Sequence, residues 1–124
     1  LMLLFGTVAG DTEVSCDWLA DKIVNLRIFE DDAGKMNRSA LDTGAEIMIV
    51  SQFTLYADTR KGRRPSFNGA MEPAAAEELY NRFVDSVRRS GLMVATGVFG
   101  AHMDVRFTNH GPVTLILEHG VPES

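Results

Sequence analysis

The chain has 124 residues, 45% of them hydrophobic, which suits one domain with a real but modest core. Seventeen acidic against twelve basic side chains leave a formal net charge of −5, which argues against a broad nucleic-acid footprint. A single cysteine, Cys16, excludes an internal disulfide and fits a reducing compartment, and no apolar run approaches the ~20 residues of a membrane-spanning helix.

In chain order, Leu1 to Ala9 reads as the first strand. Its opening, Leu1-Met2-Leu3-Leu4-Phe5, lacks the basic flank and cleavage site of a signal peptide and reads as a strand interrupted at its start. Gly10-Asp11 turns the chain, and Asp11 or Thr12 can cap a helix that carries Glu13 and Asp17 at its favourable end for acids. Val14, Trp18, Leu19, Ile23 and Leu26 predict the buried side of that helix, so Trp18 is expected in the core. Arg27-Ile28-Phe29-Glu30 reads as a short strand. Asp31-Asp32-Ala33-Gly34-Lys35 lacks the ligand spacing of a calcium loop and reads as a hairpin turn. Met36 to Gly44 is a polar connection.

The chain is organised around Glu46-Ile47-Met48-Ile49-Val50-Ser51-Gln52-Phe53-Thr54-Leu55-Tyr56. Its apolar start predicts a strand buried on both faces. The pattern then alternates, placing Ser51, Phe53 and Leu55 on one face and Gln52, Thr54 and Tyr56 on the other. Buried polar groups without hydrogen bonds cost about 1–3 kcal/mol each, so something must satisfy these. Two readings follow. Either the strand leaves the core and its polar residues meet water, or backbone N–H groups and the Thr54 hydroxyl face a ligand.

Ala57 to Phe67 is a loop with Arg60, Lys61, Arg63 and Arg64 within five positions of an otherwise acidic chain. It is either a solvated charge run or a phosphate contact, restrained by Gly62 and Pro65. Glu72-Pro73 opens a second helix with the stripe Leu79, Tyr80, Phe83, Val84 and Val87 and a stop at Gly91. Leu92–Phe99, Met103–Thr108 and Pro112–Glu118 read as strands, and His119–Ser124 as a frayed tail. The expectation is one α/β domain over residues 1–124, a largely antiparallel, barrel-like sheet covered by two helices. Conventional machinery is missing from the sequence. His102, His110 and His119 have no zinc-like spacing with Cys16, and there is no Gly-rich phosphate loop or nucleophile elbow. A serine or threonine nucleophile would need a base that the sequence does not place.

Two stretches, Ser51-Gln52-Phe53-Thr54-Leu55 and Asn109-His110-Gly111-Pro112-Val113-Thr114, together resemble the SQxxL and NxGPxT signatures of the D-aminoacyl-tRNA deacylases. Trp18–Ile23, Arg27–Phe29, Lys61–Phe67 and Gly97–Ala101 are similar to that family as well, so the resemblance spans nearly the whole chain. Members of the family begin with a further β-hairpin, and by that pattern the chain looks N-terminally truncated.

The resemblance implies hydrolysis of the ester between a D-amino acid, or glycine, and the 3′-terminal adenosine of tRNA, a chiral proofreading step in translation. It implies no cofactor and no metal, a cytoplasmic setting, and neither DNA nor membrane as a partner. It also implies a homodimer with each active site at the subunit interface. By motif, Ser51, Gln52, Phe53 and Thr54 line the catalytic site. Gly111-Pro112 is expected as a cis peptide reaching into the partner's pocket, with Asn109, Phe99, Arg63, Arg64 and Pro65 on the substrate. The family's chemistry has the ribose 2′-hydroxyl assisting the attack of water, with Thr54 as positioning residue or nucleophile. An inactive relative that binds the tRNA end or a D-amino acid without turnover is the alternative. A general esterase with a Ser51 or Thr54 nucleophile lacks visible His/Asp partners.

Overall fold

The structure, a computed structural model, describes residues 1–120; most of the expected tail, residues 121–124, lies outside the described residues. Strand β1 (Met2–Phe5) leads into helix α1 (Glu13–Asn25), a hairpin of β2 (Phe29–Glu30) and β3 (Met36–Arg38), and one helical turn, α2 (Ala40–Thr43). Strand β4 (Ile47–Ser51) follows, then a 3-10 turn (Phe53–Tyr56), helix α3 (Pro73–Arg88) and β5 (Val94–Thr96).

The α/β expectation holds, but the sheet is neither largely antiparallel nor a barrel. β1, β4 and β5 form an open sheet with β4 in the centre, and both pairings are parallel: Met2 to Phe5 run beside Met48 to Ser51, and Ile47 to Ile49 beside Val94 to Thr96. The cause is topological. Each neighbouring pair is separated in the chain by a helix, and a helical crossover brings the chain back pointing the same way. Among the described residues, antiparallel pairing between strands is confined to β2 and β3. The expected strands Met103–Thr108 and Pro112–Glu118 do not form in the described residues. Pro112 has no N–H to give a ladder, and beyond Ala101 no backbone–backbone hydrogen bond occurs among the described residues.

Alternation along the strands assigns the layers. Phe5, Ile47 and Ile49 are buried against Cys16, Ala20 and Val24 of α1 and Leu79, Tyr80, Phe83, Val84 and Val87 of α3. On the other face Leu4 and Met48 are exposed while Val50 is buried, so β4 is covered on both faces only toward its C-terminal end. Phe5 stacks on Phe83 with ring centroids 4.4 Å apart. The Tyr80 hydroxyl donates to the Ile49 carbonyl at 2.8 Å, which fixes α3 on the central strand. Each such large side chain, fully buried, contributes about 1.5–3 kcal/mol.

Helix α3 follows its sequence signals. Pro73 opens it, the Glu72 carboxylate accepts from the N–H groups of Ala74 and Ala75, and Gly91 sits just beyond the end at φ +89°. Helix α1 departs from them. Trp18 is 42% exposed rather than in the core, its ring stacked on His119 at 4.3 Å, and Val14 is exposed too. The buried face runs instead through Cys16, Ala20 and Val24, small residues that let α1 approach α3 closely, with Leu19 and Ile23 at its margin. Thr12 is the N-cap but makes no side-chain capping bond; the Asp11 carboxylate instead accepts from the Val8 N–H. The connection from Met36 to Gly44 holds β3 and a complete capping box, in which Ser39 and Asp42 each accept from the other's backbone N–H.

Candidate active site

The polar end of β4 lies beside the end of β1. The Gln52 N–H donates to the Phe5 carbonyl at 2.7 Å. Gly6 is required there, because a Cβ at that position would lie 2.9 Å from the Gln52 carbonyl oxygen. Past Gln52 the chain leaves the extended conformation. Residues Phe53 to Tyr56 form a 3-10 turn rather than continuing the strand, so the alternating faces expected for Phe53 to Tyr56 do not exist.

A turn of this kind leaves its first N–H groups without partners inside it. Here Leu55 and Ala57 donate to the carbonyls of Gln52 and Thr54. The N–H groups of Phe53 and Thr54 have no acceptor among the described residues. The Gln52 side-chain amide donates to the Thr54 hydroxyl and holds that residue in place. Phe53 is 55% exposed and Thr54 half-buried, so the turn that carries the two donors is open to solvent on its Phe53 side.

Among the described residues, no hydrogen bond joins Ser51 or Thr54 to a histidine or a carboxylate. The Tyr56 phenol is pushed up, first by burial and then by the carboxylates of Asp11 and Glu118, so it stays protonated at neutral pH. Burial likewise pushes the Cys16 thiol up to about 11, and it packs against the Leu79 carbonyl in the core. Among the described residues no group of three or more His, Cys, Asp or Glu is placed to hold a metal ion.

The basic loop follows the site directly. Asp58 and Ser66 close it through two backbone hydrogen bonds of 2.7 and 2.9 Å. Arg60 grips Asp58 through Nε and Nη2 at 3.0 and 2.8 Å, which holds the Asp58 carboxyl down at about 2. Lys61, Arg63, Arg64 and Pro65 are exposed, and none of the three cations is ion-paired among the described residues. At the foot of the loop, Phe67 meets Phe53 edge-on, with centroids 5.2 Å apart. Sequence reading had not singled out Phe67 as a site residue. Its position three residues beyond the Arg63-Arg64 pair was the available signal.

The second motif is on an exposed arm. The Gly111–Pro112 bond is cis, as the motif led one to expect. A Cβ on Gly111 would lie 2.3 Å from the Val113 nitrogen and 3.0 Å from Asn109 Oδ1, so the position admits only glycine without rearrangement. No hydrogen bond among the described residues joins Asn109–Thr114 to Ser51–Thr54 of the same chain. Phe99 packs on the edge of the core, 5.9 Å from the Tyr80 ring. Two concave spaces, lined by Arg82, Asp85, Arg88 and Arg89 and by residues between Asp17 and Ser90, lie on the helical side.

The chain is thus a parallel α/β fold whose central strand ends in a 3-10 turn with two backbone donors that lack acceptors among the described residues. Comparison with known proteins identifies the family. The family model described as D-Tyr-tRNA(Tyr) deacylase matches residues 1–118, and the chain belongs to that family. It is 60% identical over 118 residues to a D-aminoacyl-tRNA deacylase of Brevibacillus brevis, covering 95% of this chain and 81% of that protein. It is 56% identical to a Bacillus subtilis protein named an inactive D-aminoacyl-tRNA deacylase, covering 95% and 89%. Among solved structures, it is similar to the c-Myc DNA unwinding element binding protein, with a TM-score of 0.87 and 41% identity over 97% of this chain and 82% of that one.

Proposed function

We propose that the protein hydrolyses the ester between a D-amino acid, or glycine, and the 3′-terminal adenosine of tRNA, and so keeps D-residues out of translation. The observation that carries this reading is the pair of free N–H groups on Phe53 and Thr54 at the accessible end of β4. Water adds to the ester carbonyl, and its oxygen becomes an oxyanion that those two donors stabilise. Collapse breaks the bond to the ribose 3′-oxygen, which leaves with a proton, and the free D-amino acid is released. One lost donor of this type typically costs ~10²–10³ in rate.

Among the described residues no histidine or carboxylate is hydrogen-bonded to Thr54; in this reading the ribose 2′-hydroxyl of the substrate assists the attacking water, and Thr54 acts by position. In this reading two copies of the chain form a homodimer. Gly111, Pro112 and Asn109 of one copy close the pocket of the other and occupy the space that an L side chain would need. The exposure of that motif, and of Val113, Leu115 and Ile116 around it, supports such a covering partner. Arg63, Arg64 and Pro65 receive the acceptor end, and Phe99 backs the site from the core edge. The setting is the cytoplasm, where charged tRNAs are used.

Deacylation of D-Tyr-tRNA and L-Tyr-tRNA, followed side by side, tests the proposal. Selective loss of the D-ester is the expected result. The inactive Bacillus subtilis relative makes a second reading concrete: binding of D-Tyr-tRNA with no turnover would replace hydrolysis by recognition alone.

A further inference from the structure

We propose that Phe67 is a stacking platform for the unpaired nucleotide that precedes the ester-bearing one, with Lys61, Arg63 and Arg64 on the adjoining phosphates. The inference rests on the reading of Phe53 and Thr54 as the ester site, and it adds the side chain that receives the next base. Three observations meet in it. The first is the aromatic pair. Phe53 and Phe67 meet with ring planes 66° apart, so one ring gives only its edge to the contact and keeps both faces clear of it. Both rings remain open to solvent, Phe53 at 55% and Phe67 at 38%. Two exposed phenylalanines side by side are a cost in water unless something flat covers them.

The second is charge sorting within the loop. Arg60 is held on Asp58 by two side-chain bonds, and the Asp58–Ser66 bridge closes the base of the loop. Arg60 is thereby a brace, and the cations left for a ligand are Lys61, Arg63 and Arg64. The third is spacing. The Phe67 centroid lies 5.2 Å from that of Phe53. A strand whose last nucleotide sits at Phe53 brings the preceding one to Phe67, and because the two rings are turned 66° apart that base stacks on Phe67 separately from the last one. Aromatic faces beside free cations form the usual platform for single-stranded nucleic acid, tolerant of sequence because every base has a flat face. A duplex offers no such face, which confines the contact to the unpaired end.

The test compares two substrates: D-Tyr-tRNA, and the same D-tyrosyl ester on a single adenosine, which has no preceding nucleotide. Phe67→Ala should raise KM for the tRNA by about 5- to 150-fold, the range for one lost base stack, with the loss in KM rather than kcat. Its effect on the adenosine ester should be at least fivefold smaller. Phe67→Trp should restore tRNA affinity and Phe67→Leu should not. The salt dependence of tRNA binding should keep its slope in Phe67→Ala, because no phosphate contact is lost. Equal losses on both substrates, or full rescue by Leu, would show that Phe67 only buttresses Phe53 and would overturn the proposal. If the wild-type protein cleaves neither ester, the hydrolase reading fails. The platform is then judged by affinity for uncharged tRNA with and without its unpaired 3′ end, which must differ in wild type and converge in Phe67→Ala.

Discussion

The helical side of the molecule and the side that carries the two motifs solve opposite problems. Between α1, α3 and the sheet, apolar side chains are covered and charges are matched: Phe83 is 1% exposed, and Asp17 takes both Nε and Nη2 of Arg82 at 3.0 and 2.7 Å. Among the described residues at the end of β4 and along the arm beyond Ala101, N–H groups lack acceptors, Lys61, Arg63 and Arg64 lack counter-ions, and large apolar side chains such as Phe107 and Ile116 are exposed. A sheet that closes with helices on one face can afford an open end only if the closed half supplies the stability. Changes in the closed half should register in folding, and changes in the open half in chemistry and binding.

The strongest way to break that division is Phe83→Ala. Removing a fully buried ring that stacks on Phe5 should cost about 3–5 kcal/mol, a large part of the stability of a domain this size, and urea unfolding should reveal it directly. A loss below about 1 kcal/mol would mean that the core is not where stability resides. Next in size is Gly111→Ala, in the open half. The added methyl collides with the Val113 nitrogen, so the loop must shift, and misplacement by about 1 Å can cost ~10²-fold in rate. Deacylation of D-Tyr-tRNA should fall by that order while Tm changes little. Thr54→Ala should be milder, roughly tenfold at most, since it removes one hydrogen bond worth about 1 kcal/mol net; Thr54→Ser should keep most of the activity. Capture of a stable aminoacyl ester on Thr54 during turnover would make it a nucleophile instead.

The closed half was the more legible in the sequence, and the exceptions have physical causes. The stripe Leu79, Tyr80, Phe83, Val84 and Val87 shows one helical period with large residues, and all five are buried. In α1 the same logic pointed to Val14 and Trp18, because close helix packing there selects small Cys16, Ala20 and Val24, which carry little periodic weight. Trp18 finds its partner in His119, a contact 101 residues away in the chain and invisible to local pattern. Strand direction depends on which strands become neighbours, and β1–β4–β5 pairing skips over helices. At the site, Ser51 to Thr54 could be picked out as polar residues after an apolar run. The switch from strand to 3-10 turn at Gln52, which frees the two N–H groups, could not.

A smaller effect sharpens the account of the open half. Replacing Arg63 and Arg64 by Ala should weaken tRNA binding and lower the slope of log K against log salt by about 0.7 for each lost contact to a single strand. Arg60→Ala should act differently. Arg60 is spent on Asp58, so its loss loosens the loop without removing a phosphate contact, and the slope should stay near that of wild type. An unchanged slope in the Arg63→Ala, Arg64→Ala double variant would mean that the loop only faces solvent.

The smallest expected effect belongs to the charge pair of the closed half, and its pH dependence is what makes it measurable. Hydrogen bonds from Arg82, then from Ser86, outweigh desolvation and hold the Asp17 carboxyl well below the usual carboxylate range. A carboxyl whose folded pKa is depressed adds stability above its unfolded value of about 3.9 and loses it as pH falls toward the folded pKa. The side chains are partly solvated, at 35% for Arg82 and 44% for Asp17, so screening keeps the contribution modest. Asp17→Asn should therefore be slightly less stable than wild type at pH 7, and the gap in urea midpoint should narrow as pH falls below about 4. Added salt should narrow it at pH 7 as well. A gap that stays constant between pH 7 and pH 2.5 would assign the effect to packing between α1 and α3 rather than to the ion pair. Activity toward D-Tyr-tRNA per folded molecule should not follow either trend, because this pair belongs to the half of the molecule that holds the site in place.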